Sequence, residues 1–170
     1  MLNFPTLRLR LVVLTGAAVA SLAAMPASAD VGNANLGVSA TVSGMCNVTT
    51  SPVAFGEVDV TSGSNDDASG GISVVCTNGT AWAAAADEGA GASATIASRK
   101  MTSGSDSLNY SLYINDLRTS VWGDGTTGAT IDDIGSGSAQ AHTVYGRVPS
   151  GQTSVPEGVY ADTVAVTLTY

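Results

Sequence analysis

The sequence predicts an all-β protein built as an antiparallel β-sandwich, and three observations carry this prediction. Short segments with apolar residues at every second position recur along the chain, which is the period of a half-buried strand. Clusters rich in Gly, Ser, Asn and Asp separate these segments and are typical of turns. Only the segment 81–89 has a composition that suits a helix, and it is too short to nucleate one before Gly89.

The first 29 residues have the three-part layout of a secretory signal peptide. Arg8 and Arg10 give a positive start, an apolar run follows over 11–24, and Ala27-Ser28-Ala29 is a small-residue cleavage site. A membrane helix is the rival interpretation, but it would need about 20 apolar residues. We therefore expect a mature chain that starts near Asp30, is exported through the periplasm, and does not insert into a membrane.

The mature chain is strongly acidic. All 14 acidic residues lie in it, whereas two of the six basic residues leave with the signal, so its net charge is about −10. Such a surface repels phosphate backbones and anionic lipid heads, which excludes nucleic acid as a partner class. The length of the mature chain suits a single domain.

Two cysteines, Cys46 and Cys76, lie in the mature chain, and in an oxidising compartment an isolated pair predicts one disulfide. A zinc site would need further ligands, and His142 is the only histidine. The acidic pairs 66–67 and 132–133 lack the spacing of a calcium loop and are interpreted as solvated loops. We expect no metal and no cofactor.

The patterned segments define the expected strands. The first has Leu36, Val38, Ala40 and Val42 on one face. Trp82 is placed in the core by a strand over 81–86. The other strands are expected within 71–78, 108–115, 142–148 and 162–170, and the loops at 61–71, 87–93, 123–128 and 135–140.

The two ends of the mature chain predict an incomplete sandwich. The last strand has Val164, Val166, Leu168 and Tyr170 on one face, and nothing follows it. In an immunoglobulin-like sandwich a further strand normally covers the edge beside the penultimate one. We therefore expect an immunoglobulin-like fold that is one strand short and has an open, apolar edge. The strand at 36–42, by contrast, is an extra strand before the expected first strand of that sandwich.

Catalysis is not expected. His142 lies in a predicted strand, and the sequence contains no G-x-S-x-G nucleophile motif, although the partners of a catalytic triad can lie far apart in a chain. Trp82 and Trp122 leave a second possibility open, since paired tryptophans can form a stacking platform for sugars. The competing interpretation places both of them in the core.

Several segments resemble a known family when they are taken in order. They are "GMCNV" at 44–48, "FG" at 55–56, "GGISVVCTNGT" at 70–80, "LNYSLYIND" at 108–116, "VWGDG" at 121–125 and the ending "YGRVPSGQTSVPEGVYADTVAVTLTY". In this order they resemble the spore coat protein U domain, which is shared with the subunits of archaic chaperone–usher pili. The resemblance covers essentially the whole mature chain.

The resemblance implies a pilus subunit that polymerises by donor-strand complementation. A periplasmic chaperone lends a strand to the incomplete subunit, and an outer-membrane usher exchanges it for the N-terminal segment of another copy or a related pilin. It also implies that the disulfide links the first strands of the fold. The expected organisation is then a signal peptide at 1–29, a donor segment at 30–43 and a sandwich domain at 44–170.

Within this scheme, the side chains of Leu36, Val38, Ala40 and Val42 are the donated face. The residues Val164, Val166, Leu168 and Tyr170 form the edge of the acceptor groove. The expected function is a surface fibre that supports adhesion and biofilm formation. The alternative is a secreted monomer, either a closed sandwich of the spore-coat type in which the first strand completes the chain's own core, or a carbohydrate-binding or surface-binding protein.

Overall fold

A computed structural model of the chain describes residues 27–170, and these residues form eight strands and no helix. The strands are β1 (Cys46–Ser51), β2 (Asp66–Cys76), β3 (Ala81–Ala86), β4 (Arg99–Ser103), β5 (Asp106–Tyr113), β6 (Ile131–Ile134), β7 (Gln140–Val148) and β8 (Val166–Thr169). The expected all-β class is therefore confirmed. Residues 1–26 of the expected signal peptide lie outside the described part.

The strands form two antiparallel sheets in the unit that comprises Ala40–Tyr170. The larger sheet has the order β1-β2-β7-β5-β4, and the smaller one has the order β6-β3-β8. Pairing of β1 with β2 sets Cys46 directly opposite Cys76, and a disulfide joins them as the sequence predicted. Every adjacent pair of strands is antiparallel, which fits the alternating pattern of the sequence.

The inward-facing residues of both sheets form one core. Its buried members are Ile72, Val74, Cys76, Trp82, Ala84, Ala86, Leu108, Tyr110, Leu112, Trp122, Ile131, Val144 and Val148. Both tryptophans are buried, and the indole of Trp122 donates a hydrogen bond of 2.9 Å to the carbonyl of Ala84. Segment 81–86 is a strand, as expected.

The expected loop at 61–71 is wrong in its second half, because β2 begins at Asp66. Gly70 and Gly71 are strand residues that allow close approach of other segments rather than turn residues. A Cβ at Gly70 would lie 2.6 Å from the carbonyl oxygen of Pro52, and one at Gly71 would lie 2.6 Å from that of His142. The two glycines therefore let the backbone at Pro52 and at His142 approach this strand closely.

The acidic pair at 66–67 is accordingly not a solvated loop. The Asp67 carboxylate accepts two hydrogen bonds, of 2.7 and 2.8 Å, from the Arg147 guanidinium on the neighbouring strand. The Nε of Arg118 lies 3.3 Å from the carboxylate oxygen that the Nε of Arg147 contacts. These bonds to Arg147, together with both positive charges, lower the pKa of Asp67, so the carboxylate stays charged.

A buried arginine at the start of β4 was not anticipated. Arg99 is fully buried, and its guanidinium donates hydrogen bonds of 2.8, 3.0 and 2.8 Å to the carbonyls of Asp87, Ile96 and Trp122. A longer contact of 3.4 Å reaches the carbonyl of Ala86. One side chain therefore ties the start of β4 to both ends of the connection between β3 and β4, and to Trp122 in the connection between β5 and β6.

The two ends of the sandwich differ from the sequence pattern. The described residues before β1 form no strand, although 36–42 alternate like one. The last strand is shorter than expected, and Ala161 instead forms an isolated bridge to Thr102. Within residues 27–170, no helix has the length and apolarity needed to span a membrane.

Candidate functional site

The sandwich has an open groove of about 1280 Å³. Segment 50–60 borders one side, and segment 155–166 borders the other. The groove exceeds the roughly 300–1,000 Å³ of a typical small-molecule pocket. Its apolar lining consists of Pro52, Val53, Ala54, Phe55, Val58, Val60, Ile72, Met101, Leu108, Leu112, Trp122, Val144, Val155, Pro156, Ala161, Val164 and Val166.

The second side of the groove ends in a strand edge that is paired on one side only. β8 lies at the edge of its sheet and bonds only to β3. Ala165 immediately precedes β8. Its carbonyl accepts a hydrogen bond from the amide of Asp87, and the Ala165 amide donates one to the Asp87 carboxylate. Peptide groups alternate in direction along a strand, so those of Val164 and Val166 point away from β3. Their side chains also line the groove, which makes this edge suitable for addition of a further strand.

The first side of the groove also has free backbone. In the described part of the chain, no backbone–backbone hydrogen bond involves residues 53–58. Unpaired amides and carbonyls of this kind bind water or an incoming strand. Both long sides of the groove therefore offer hydrogen-bonding groups above an apolar floor.

A glycine of β7 makes room for the first side. A Cβ at Gly146 would lie 2.6 Å from a methyl of Val53 and 2.7 Å from the ring of Phe55. The Phe55 ring packs edge-on against Tyr110, with centroids 6.3 Å apart. The "FG" and "YGRV" segments of the sequence thus meet at one contact, which holds segment 53–55 against the inner face of the larger sheet.

One polar pair lies at the floor of the groove. The Tyr110 hydroxyl donates a hydrogen bond of 2.6 Å to the Asp162 carboxylate. Burial, reinforced by this bond, raises the pKa of Tyr110, so the hydroxyl stays protonated. The other oxygen of Asp162 accepts the amides of Ala90 and Thr163. Asp162 therefore serves as a structural acceptor that fixes the start of the second side.

The charged groups that line the groove all have the same sign. They are Glu57 and Asp59 on the first side and Glu157 and Asp162 on the second, and no lysine or arginine lines it. Hydrogen bonds from Thr61 lower the pKa of Asp59 and keep it ionised. The groove is therefore an apolar trough with acidic rims.

The structure places the sequence-predicted residues in different surroundings. Val164 and Val166 line the groove, whereas Leu168 packs against the core beside Ala84, and Tyr170 is exposed. Leu36, Val38, Ala40 and Val42 are exposed and lie in no strand.

Sequence reasoning missed the first side of the groove. Val53 and Phe55, then Val58 and Val60, alternate with small or charged residues, so the period-two signal was present in segment 53–60.

The other candidate groups lie away from the groove or are buried. His142 packs edge-on against Trp82 at 5.3 Å, and its imidazole lies 3.5 Å from the Asp133 carboxylate. In residues 27–170, no cluster of three or more His, Cys, Asp or Glu side chains could hold a metal ion. Because both tryptophans are buried, they form no platform for stacking a sugar.

Comparison with known proteins assigns the family. The Spore Coat Protein U domain matches residues 32–167. The chain belongs to this family. Among its relatives is Protein U of Myxococcus xanthus, with 36% identity over 169 residues that cover 90% of this chain and 93% of the relative.

A solved structure shares the fold of this Spore Coat Protein U domain. It is the CsuC–CsuE chaperone–tip adhesion subunit pre-assembly complex of the archaic chaperone–usher Csu pili of Acinetobacter baumannii, with a TM-score of 0.55 and 20% identity. The match covers 76% of this chain but only 40% of the solved one. The immunoglobulin-like sandwich of pilus subunits is therefore the fold of this chain.

Proposed function

We propose that this chain is the structural subunit of a secreted bacterial fibre of the archaic chaperone–usher type. Its groove accepts a β-strand from a partner, and its N-terminal segment is the strand that it donates to the next copy. The observation that carries the proposal is the open groove, in which an apolar floor lies between two backbone edges without partners. The protein acts by assembly and has no catalytic role.

The geometry of the groove favours a strand over a small ligand. An extended peptide supplies what both edges lack, namely amides and carbonyls along its length and apolar side chains at every second position. Val164 and Val166 lie where their backbone can pair with such a peptide while their side chains contact it. We propose that, once the groove is filled, the edge continues through Leu168 to Tyr170.

The N-terminal segment fits the description of the donor. Leu36, Val38 and Val42 are 89, 87 and 84% exposed. Burial of Leu36 and Val38 in a neighbouring subunit would contribute roughly 1.5 to 3 kcal/mol each. In the closed-monomer alternative these residues belong to the chain's own core.

The partners follow from the assembly. An open apolar groove with free backbone edges can bind the strands of other chains, so we propose a periplasmic chaperone as the first occupant. The similar solved fold is itself a chaperone–subunit pre-assembly complex. An outer-membrane usher would then exchange the chaperone strand for the donor segment of another copy. The product is a pilus at the cell surface that supports adhesion and biofilm formation.

A matched pair of substitutions tests the donor role. Leu36→Asp puts a charge on the donated face, whereas Ser39→Asp puts the same charge on the opposite face of the same segment. Each full-length variant is expressed with its chaperone and usher. We expect both to form the chaperone complex, and only Ser39→Asp to form surface fibres detectable by antibody labelling.

Deletion of 30–39 separates the donor model from the closed monomer. The donor model expects the deleted subunit to co-purify with the chaperone but not to polymerise. The closed monomer requires this segment for its own core, so it expects loss of the chaperone complex as well. Loss of both would overturn the proposal.

A further inference from the structure

The basic residues of the mature chain are all engaged within the molecule. Arg99 is buried against carbonyls, and the Lys100 ammonium donates to the carbonyl of Ala92 at 3.2 Å. Arg118 and Arg147 share the Asp67 carboxylate. The 14 acidic residues therefore have few basic counterparts, and most of the surface carries uncompensated negative charge.

The rims of the groove concentrate this charge where an incoming strand must lie. Glu57 and Asp59 on the first side and Glu157 on the second are exposed, and none of them takes part in an ion pair among residues 27–170. In a strand that lies on the apolar floor, every second side chain points outward between these rims. Outward side chains are then within a Debye length of the carboxylates.

The chain's own donor segment does not complement these rims. Residues 30–42 contain Asp30 and no lysine or arginine. A strand from another copy is therefore neutral or weakly repelled by the rims, and it gains its affinity from apolar contacts and backbone bonds. An occupant of opposite charge would gain an additional electrostatic attraction and a faster encounter.

We propose that the acidic rims are a recognition surface for a partner strand whose outward positions carry lysine or arginine. This inference rests on the proposed function and names the chemistry of the groove's first occupant, the assembly partner that holds the subunit before another copy replaces it. The attraction weakens with salt, whereas the apolar affinity of the donor segment does not. The rims thus attract the strand of the assembly partner more strongly than the donor segment of another copy.

Two peptides test the proposal on the full-length Leu36→Asp chain, which keeps its groove but cannot donate a strand. One labelled peptide has the sequence of 30–42, and the other has lysine in place of Asn35 and Ser39, both outward positions. Binding is measured by fluorescence anisotropy at low salt and at about 0.5 M salt. The protein is tested with its natural rims, with Glu57→Gln and Glu157→Gln together, and with Glu88→Gln and Asp116→Asn together. The last pair removes the same charge away from the groove.

We expect the lysine peptide to bind roughly two- to five-fold tighter for each lysine at low salt. The advantage should disappear at high salt, shrink in the rim variant, in which Asp59 still carries its charge, and persist in full in the control variant. Equal affinity of the two peptides at low salt would overturn the inference and leave the acceptor role intact. An undiminished advantage in the rim variant would also overturn it. Failure of both peptides to bind would overturn the proposed function together with the inference.

Discussion

Substitution of Arg99 should greatly lower the free energy of unfolding, because one side chain supplies hydrogen bonds to several buried carbonyls. We consider Arg99→Met, which keeps a long, unbranched apolar side chain and removes the guanidinium with its five N–H donors. The guanidinium is fully buried and donates to the carbonyls of Asp87, Ile96 and Trp122 at 2.8 to 3.0 Å. Among the described residues, no other donor reaches these three carbonyls.

The expected cost is the balance of two opposing terms. A buried carbonyl without a donor costs about 1–3 kcal/mol, so three of them cost roughly 3–9 kcal/mol. Burial lowers the pKa of Arg99, which reflects the desolvation penalty of the charge, and the substitution recovers several kcal/mol of that penalty. We expect a net loss of about 3–5 kcal/mol, in the range found when one partner of a buried charged network is removed.

The assay is urea unfolding of the full-length chain in the Leu36→Asp background, so that copies do not stabilise one another. A loss of this size lowers the midpoint by about 1.5–3 M. Lys100→Met is the matched control, because its ammonium makes one exposed bond, and it should change stability by less than about 0.5 kcal/mol. An Arg99→Met midpoint within the error of the control would refute the reasoning, because it would mean that water or rearrangement satisfies the three carbonyls.

Three further perturbations have defined outcomes. Cys46→Ser opens the disulfide across 30 residues, which should cost about 3–4 kcal/mol and lower periplasmic accumulation, whereas thiol labelling of the unmodified protein should find no reactive cysteine. Val166→Asp, but not the outward Thr167→Asp, should abolish the chaperone complex, and recovery of normal amounts by co-purification would contradict the groove assignment. Because Arg147 lowers the pKa of Asp67, the carboxylate stabilises the fold above its ordinary pKa, and this contribution is lost as pH falls below about 4. The Arg147→Gln variant should therefore lose less stability than the unmodified chain between pH 7 and about pH 3 in urea titrations.

The fold class followed from the sequence because period-two alternation reports directly which face of a strand is buried. Val74 and Cys76 in β2 and Leu108, Tyr110 and Leu112 in β5 are buried as the pattern requires. The short edge strands β1, β4 and β6 were missed, because "CNVTTS" and "RKMTS" are mostly polar and "IDDI" has two charged residues at its centre, a pattern that edge strands tolerate.

The candidate site was predicted only in part. The second side was found because Val164 and Val166 lie in a long alternating segment at the end of the chain. The first side was missed although 53–60 alternates, because no local signal shows that this segment lies over Gly146, where a distant strand lacks a side chain. Burial of Arg99 has no local signal, because a charged residue after "TIAS" has the pattern of a surface position, and only tertiary contacts supply its acceptors.

The disulfide has a mechanical consequence in a fibre assembled as proposed. Tension along such a fibre enters each sandwich through the three residues between Val42 and Cys46, immediately before β1. Without a covalent link, pulling there would peel β1 from the sheet one hydrogen-bonded pair at a time. The bond to Cys76, directly opposite in the register, transfers the load to β2 at the point of entry. β2 pairs with β7 over nine residues, so the load is spread over many bonds in shear.

Reduction of the disulfide should therefore lower the force at which single fibres extend in optical-tweezer pulling, even under conditions in which the subunits remain folded.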